Sequence, residues 1–189
     1  EQHHIVDKLD KIFLNISKIN LSKVEKENEI DKLKKSILSK ILKSKETSTQ
    51  IQFEKCLKKT NINFKLKKRE YLKEGKFPVV SQESELISGY HDNIKNVFHL
   101  PKPAVIFGDH TQVLKYIDFD FVVGADGVKI LLPIDKIDPK YFYYALKMMM
   151  PKNTGYARHY KLLKKLKISV PSIEEQKHIV VQLDKAFAE

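Results

Sequence analysis

Residues 175–187 read EQKHIVVQLDKAF and residues 1–13 read EQHHIVDKLDKIF, identical at nine of thirteen positions. Two such copies separated by a long unlike segment set the architecture before any single element is assigned: helix, globular insert, helix. The second copy carries its own start signal. Ser172 with Glu175 three residues on forms a capping box, Pro171 lies just outside it, and Glu174 and Glu175 suit the positive end of a helix. The first copy has no such residues before it, so an upstream segment is expected. The shared pairs Gln2/Gln176, His4/His178, Asp10/Asp184 and Phe13/Phe187 are read as residues that pack alike, because a repeated helix start needs no chemistry.

From the first copy onward, apolar side chains fall at Ile5, Leu9, Ile12, Ile16 and Ile19 in steps of four and three. The phase resumes at Ile30, Leu33 and Ile37. The spacing predicts one helix of roughly forty residues, ~60 Å long, with Lys23 and Lys26 on the seam as a polar waist. A break at Asn20-Leu21-Ser22 is the alternative. A stripe of this length has to be buried against a partner, which leaves a homodimer through the long helices open.

Between Thr47 and Val170 the heptads give way to short strands and turns. Phe77-Pro78-Val79-Val80 and Ala104-Val105-Ile106-Phe107 read as strands, the second running into Gly108-Asp109. Ile117, Phe119, Phe121 and Val123 alternate with Asp118, Asp120 and Val122. After the turn Gly124-Ala125-Asp126-Gly127, a return strand carries Val128, Ile130 and Leu132, so a hairpin with one dry and one wet face is expected. Asp138 and Pro139 supply the cap and first turn of a helix ending near Met150-Pro151, with Met148, Met149 and Met150 as adaptable packing. Tyr156 to Leu166 reads as a basic helix leading into the strand Ile168-Ser169-Val170. The fold class is therefore α+β: a long coiled-coil-type helix over 1–46, a globular domain over 47–170, and over 171–189 the start of a second helix packing against the first.

The 189 residues, 42% hydrophobic and 31% charged, fill one core with an appendage rather than two domains. A lone cysteine, Cys56, cannot close an internal disulfide. No run approaches ~20 apolar residues and no leader pattern opens the chain, so a cytoplasmic protein without a membrane partner is expected. Charge is the first positive clue: 35 Lys+Arg against 24 Asp+Glu gives +11, which favours a polyanion. The excess is spread as +3 over 1–46, +4 over 47–150 and +4 over 151–189, and only Arg69 and Arg158 are arginines.

Catalytic signatures are missing. There is no Gly-rich phosphate or cofactor loop, no HExxH and no paired-cysteine zinc spacing. Asp126 with Asp138-Pro139-Lys140 looks loosely like a nuclease set, but these aspartates also have turn and capping roles. His3, His4 and His178 lack metal-ligand partners. No cofactor, no metal and no catalytic residue are expected.

Several strings resemble the specificity subunit of type I restriction-modification systems. They are GKFPVVSQ at 75–82, PAVIFGDHT at 103–111, FVVGADGVKILLP at 121–133 and GYARHYKLLKKLKISVP at 155–171, flanked by PSIEEQKHIVVQLDKAF at 171–187 and its first copy; LKKSILSKIL at 33–42 looks like the end of that family's central helix. The first recognition domain of that family is missing here and the closing helix is short, so the chain reads as a C-terminal half or a half-subunit. The resemblance implies a non-catalytic role: the globular domain reads one half of a bipartite target in double-stranded DNA, and the helices act as spacer and platform for methyltransferase subunits, with restriction subunits joining the full complex. Arg158 in Tyr156-Ala157-Arg158-His159-Tyr160 leads the DNA-contact candidates, since its fork can grip guanine or phosphate as lysine cannot. His110, Thr111 and Gln112, and Ser81 with Gln82, follow strand ends, while Lys76 and Lys161 add cations. An intramolecular carboxylate partner for Arg158, and plain turn chemistry for the loop residues, are the structural alternatives. Two other classes remain: the recognition portion of a fused single-chain restriction-modification enzyme, and a helix-dimerising interaction protein without DNA specificity. Binding that falls with salt and depends on sequence separates the last from the others.

Overall fold

Short runs rich in β-branched and aromatic residues form strands Thr49–Gln52 (β1), Phe77–Val80 (β2), Gly89–His91 (β3), Val97–Phe98 (β4) and Ala104–Gly108 (β5). Leu114–Ile117 (β6), Phe121–Val123 (β7), Val128–Leu131 (β8) and Lys167–Val170 (β9) follow. Helices span Pro139–Met149 (α1), Tyr160–Leu163 (α2) and Ile173–Phe187 (α3). The computed structural model describes residues 48–150 and 158–187, with scattered positions between Lys18 and Ser39. The chain divides into two units, Glu1–Lys43 and Ser44–Glu189.

In the first unit Lys18, Leu21, Ser22, Lys23, Lys26 and Lys32 are helical and exposed, while Asn20 of the alternative break at Asn20-Leu21-Ser22 lies outside the described residues. The first repeat copy and the seam residues from Ile5 to Ile19 and from Ile30 to Ile37 lie outside the described residues.

In the second unit a four-stranded sheet has the order β3-β2-β7-β4, with β2 and β7 parallel and the outer pairs antiparallel. An antiparallel sheet, β6-β5-β8, and the antiparallel pair β1-β9 complete it. The main core gathers Val80, Phe121 and Val123 of the first sheet with Ala104, Ile106, Ile117, Val128 and Ile130 of the second. On the other side of β2 and β7, Val79 and Val122 pack with Leu66.

That second cluster overturns the expected hairpin. Phe121, Val122 and Val123 are all buried, so β7 has two dry faces and takes a central place between β2 and β4, as a doubly covered strand does. β8 pairs instead with β5, Val105 opposite Leu131 and Phe107 opposite Lys129. Residues 124–127 carry the chain from one sheet to the other rather than turning it back.

The helix starts follow local chemistry. The Asp138 carboxylate accepts from the N–H groups of Lys140 and Tyr141, both at 2.9 Å, with Pro139 in the first turn. Tyr141, Phe142, Ala145 and Leu146 face inward, Phe142 stacking on Phe53 at 6.2 Å between ring centres. Met148, Met149 and Met150 are half-buried at its end. Ser172 caps the last helix, its Oγ accepting from Glu175 N–H at 3.3 Å.

α3 docks onto this domain through the repeated residues. Gln176 is fully buried; its carbonyl accepts from Asp138 N–H at 2.8 Å and its amide donates to the carbonyls of Lys136 and Pro171, both at 2.9 Å. Ile179 and Leu183 are buried beside it. Asp184 accepts from Lys140 Nζ at 2.7 Å and the Tyr144 hydroxyl at 2.6 Å, and Phe187 lies 6.0 Å from the Tyr144 ring. His178 is exposed. In this copy Gln176, Asp184 and Phe187 hold helix to domain beside the buried Ile179 and Leu183, whereas His178 and Lys185 are exposed.

The Cys56 thiol is buried, and burial pushes its pKa up to about 11. Thiolate is the reactive form. Alkylation at pH 8 is therefore expected only on unfolding; rapid labelling of native protein would contradict this placement. Among the described residues no helix is long and apolar enough to cross a membrane.

Candidate nucleic-acid interface

The end of β5 builds the site. Gly108 N–H donates to the Val113 carbonyl at 2.9 Å and Gln112 N–H to the Gly108 carbonyl at 2.9 Å, closing residues 108–113 into a tight loop. Gln112 adopts φ 59°, the left-handed region that a residue with a Cβ rarely enters. Its amide lies 3.1 Å from His159 Nδ1.

Gln82, just beyond β2, ties this loop to its neighbours. Its side-chain oxygen accepts from His110 N–H at 3.2 Å and its backbone carbonyl accepts from the Thr111 hydroxyl at 2.6 Å. A Cβ at Gly108 would come within 2.9 Å of Gln82 Cβ, and one at Gly127, where φ is +81°, within 2.5 Å of Gln82 Oε1. Both glycines therefore permit a close approach that any larger residue would prevent.

Asp109 brings in the fourth segment. Its N–H donates to the Gly127 carbonyl at 2.8 Å, its own carbonyl accepts from His159 N–H at 2.8 Å, and its carboxylate accepts from Tyr160 N–H at 2.8 Å. This last bond starts α2 at Tyr160. The helix expected over Tyr156 to Leu166 is accordingly reduced to Tyr160–Leu163, with Arg158 and His159 outside it and Lys167 already in β9.

The segments around Gln82, 108–112, 124–127 and 158–161 thus meet at one place. Thr111, Arg158 and Lys161 are exposed there, while Gln82, His110 and Gln112 are half-buried. Ser81 and His159 are buried; Ser81 shares a 2.7 Å hydrogen bond with Ser88. These two support the loops from behind, a correction to the expectation that they stand on the surface. Lys76 is exposed but precedes β2, at the opposite end of that strand from Gln82. Tyr156 lies outside the described residues.

Many lysines are already paired: Lys164 with Glu54 at 2.8 Å, Lys58 and Lys102 with Asp135 at 2.7 and 3.1 Å, and Lys68 with Glu83. Among the described residues no carboxylate pairs with Arg158, Lys161 or Lys165, so their charge is available to a polyanion. Lys129 and Lys164 lie 5.4 and 5.7 Å from the centre of the Tyr160 ring, whose hydroxyl burial pushes toward higher pKa. No cluster of His, Cys, Asp or Glu suited to a metal occurs among the described residues. Asp138 has its carboxylate committed to the α1 cap, which removes it from the loose nuclease pattern.

Sequence reasoning missed two organisers, Asp109 and Lys115. Asp109 had a signal, a strand-end Gly-Asp with no helix start behind it to cap. Lys115 sits in β6 opposite Ile106 and is buried, where an alternating pattern reads a lysine as solvent-facing.

Comparison with known proteins gives the chain its family. The type I restriction modification DNA specificity domain matches residues 53–189. Over 84 residues, 43% of this chain and 21% of the relative, the sequence is 31% identical to the type I restriction enzyme EcoR124I/EcoR124II specificity subunit of Escherichia coli. Among solved structures, a chain from work on complex assembly and conformational transition of the type I R-M system aligns with TM-score 0.62 and 17% identity, over 98% of this chain and 51% of that one. The S subunit from M. genitalium gives 0.60 and 21%, over 84% and 48%. The HsdS subunit from Thermoanaerobacter tengcongensis gives 0.53 and 16%, over 97% and 50%. The chain spans about half the length of these solved subunits. With the family's domain matching residues 53–189, the larger part of its length, the chain belongs to the type I restriction-modification DNA specificity family.

Proposed function

We propose that this chain is a non-catalytic DNA-reading half of a type I specificity subunit, recognising one part of a bipartite sequence in double-stranded DNA. The observation that carries the reading is the meeting of four segments from two sheets around Gln82, with unpaired cations at the rim. Loops fixed to a rigid scaffold suit base readout, and free cations beside them suit phosphate contact. Arg158, Thr111, Gln112 and Gln82 are the proposed groove contacts, Lys161 a phosphate contact, with His110, His159 and Ser81 holding the loops. Lys76, at the other end of β2, contacts phosphate only if the duplex extends that far. In the full complex, methyltransferase subunits dock on the helices and restriction subunits join them, and helix length sets the spacing between half-sites.

The test is binding of labelled duplexes as a function of salt and sequence. Affinity is expected to fall steeply with salt and to prefer one motif; salt-insensitive or sequence-blind behaviour would remove the reading. A sharper variant is Gln112→Gly. Relief of left-handed strain, ~1 kcal/mol, offsets the lost hydrogen bond to His159, ~1 kcal/mol. The thermal midpoint is expected to stay put while sequence preference weakens; unchanged preference would take Gln112 out of the reading set.

A further inference from the structure

Between β2 and β3 the chain runs Ser81-Gln82-Glu83-Ser84-Glu85-Leu86-Ile87-Ser88, a segment with no lysine or arginine in a chain of net charge +11. Its base is closed three times over. Ser81 Oγ and Ser88 Oγ are 2.7 Å apart, Ser88 N–H donates to the Val79 carbonyl at 2.8 Å, and Glu83 N–H donates to Ser81 Oγ at 3.1 Å. From beneath, Lys115 reaches out of the other sheet. Only 5% exposed, it donates from Nζ to the Ser81 carbonyl at 2.9 Å and to the Glu85 carbonyl at 2.5 Å.

A buried ammonium is costly, and a sheet position facing a core would be filled more stably by Leu or Met. Burial lowers the pKa of Lys115 against the opposing pull of Glu85 and Glu83. What the cation provides is conformation: it fixes two carbonyls four residues apart and so sets the shape of the loop between them. Glu83 is held in an ion pair with Lys68. Beyond it Glu85 is exposed, and Leu86 and Ile87 are 51% and 37% exposed, adjacent apolar side chains at a loop tip.

We propose that Gln82–Ile87 is a base-reading loop, with Glu85 and Leu86 as specificity-determining residues and Lys115 as the positioning residue that sets their placement. The inference rests on the DNA-reading function proposed above. The loop is continuous with that interface, because Gln82 at its root is the hub of the loop cluster. An acidic, cation-free loop has no favourable contact with phosphate, but the groove floor offers partners to both side chains. A carboxylate accepts from the amino group of cytosine, and a leucine packs on the methyl group of thymine. The Glu85 carboxyl is held below its ordinary pKa by its own backbone N–H and by the Ser84 hydroxyl, so it acts as an acceptor.

The test selects from a randomised duplex library with the unaltered protein and with Glu85→Gln, Leu86→Ala and Lys115→Met, reading the enriched motifs and the salt dependence of binding. The expected result is a loss of about tenfold or more in preference at one or two positions for each loop variant. Lys115→Met blurs the same positions, and the salt slope is unchanged in all three. A motif enriched by the unaltered protein and returned unaltered by Glu85→Gln and Leu86→Ala overturns the proposal and leaves the DNA-reading function standing. Absence of any motif for the unaltered protein overturns both. Should Lys115→Met lose its thermal transition, the two exposed-loop variants decide the matter.

Discussion

Arg158→Ala will keep the thermal midpoint of the unaltered protein and lose about 1–3 kcal/mol of discrimination between target and unrelated duplexes, the worth of one good bidentate base contact. The fold has no need of the guanidinium. Arg158 is exposed and lies outside α2, and among the described residues no carboxylate pairs with it, whereas its neighbour His159 is buried and its N–H is taken by Asp109. Arg158→Lys separates two roles. Lysine retains a phosphate contact but cannot make the forked one, so recovery of affinity without recovery of preference assigns Arg158 to a base edge, and recovery of both assigns it to phosphate. Competition binding with matched and scrambled duplexes reads the difference; unchanged preference in the alanine variant removes Arg158 from the interface.

The largest stability effect is expected at Gln176, where the last helix meets the domain. Gln176→Leu leaves Asp138 N–H and the carbonyls of Lys136 and Pro171 without their partners, and at ~1–3 kcal/mol for each buried group the loss is about 3 kcal/mol or more. Two of these partners flank the start of α1, so cap and helix docking fail together. Gln182→Leu, on an exposed position of the same helix, is expected to stay within about 0.5 kcal/mol of the unaltered protein. Urea denaturation of both variants checks the contrast, and equal midpoints would show that Gln176 does not carry the docking. The result also bears on the repeat, because Gln176 is one of the nine residues shared with the first copy and is the most deeply committed of them.

Features set within a few residues were legible in the sequence. The Ser172 helix cap, the Asp138-Pro139 helix start and the strands at Phe77–Val80 and Ala104–Gly108 each depend on neighbours along the chain. Pairing was not legible. Alternation around Phe121 shows that a strand is present without saying which strand lies beside it. The β2–β7 partnership joins Val79 to Val122 across a long stretch of chain through burial on both faces. The site divided in the same way. Strand ends at Gln82 and at 110–112 were found because loops follow strands, yet the depth of Ser81 and His159 depends on contacts with distant segments. Lys115 was hidden because its partners are backbone carbonyls on another sheet, which leave no trace in residue type.

The proposed role of this chain is to read DNA for a modification complex. Its most direct test is to assemble the specificity subunit carrying this chain with its methyltransferase subunits, expose unmodified DNA to the complex, and sequence the modified bases. The account predicts modification confined to one bipartite motif, with one half changed or lost in the Arg158→Ala complex. A complex that modifies DNA without a motif, or whose motif is indifferent to Arg158 and to the loop at 82–87 alike, would contradict it.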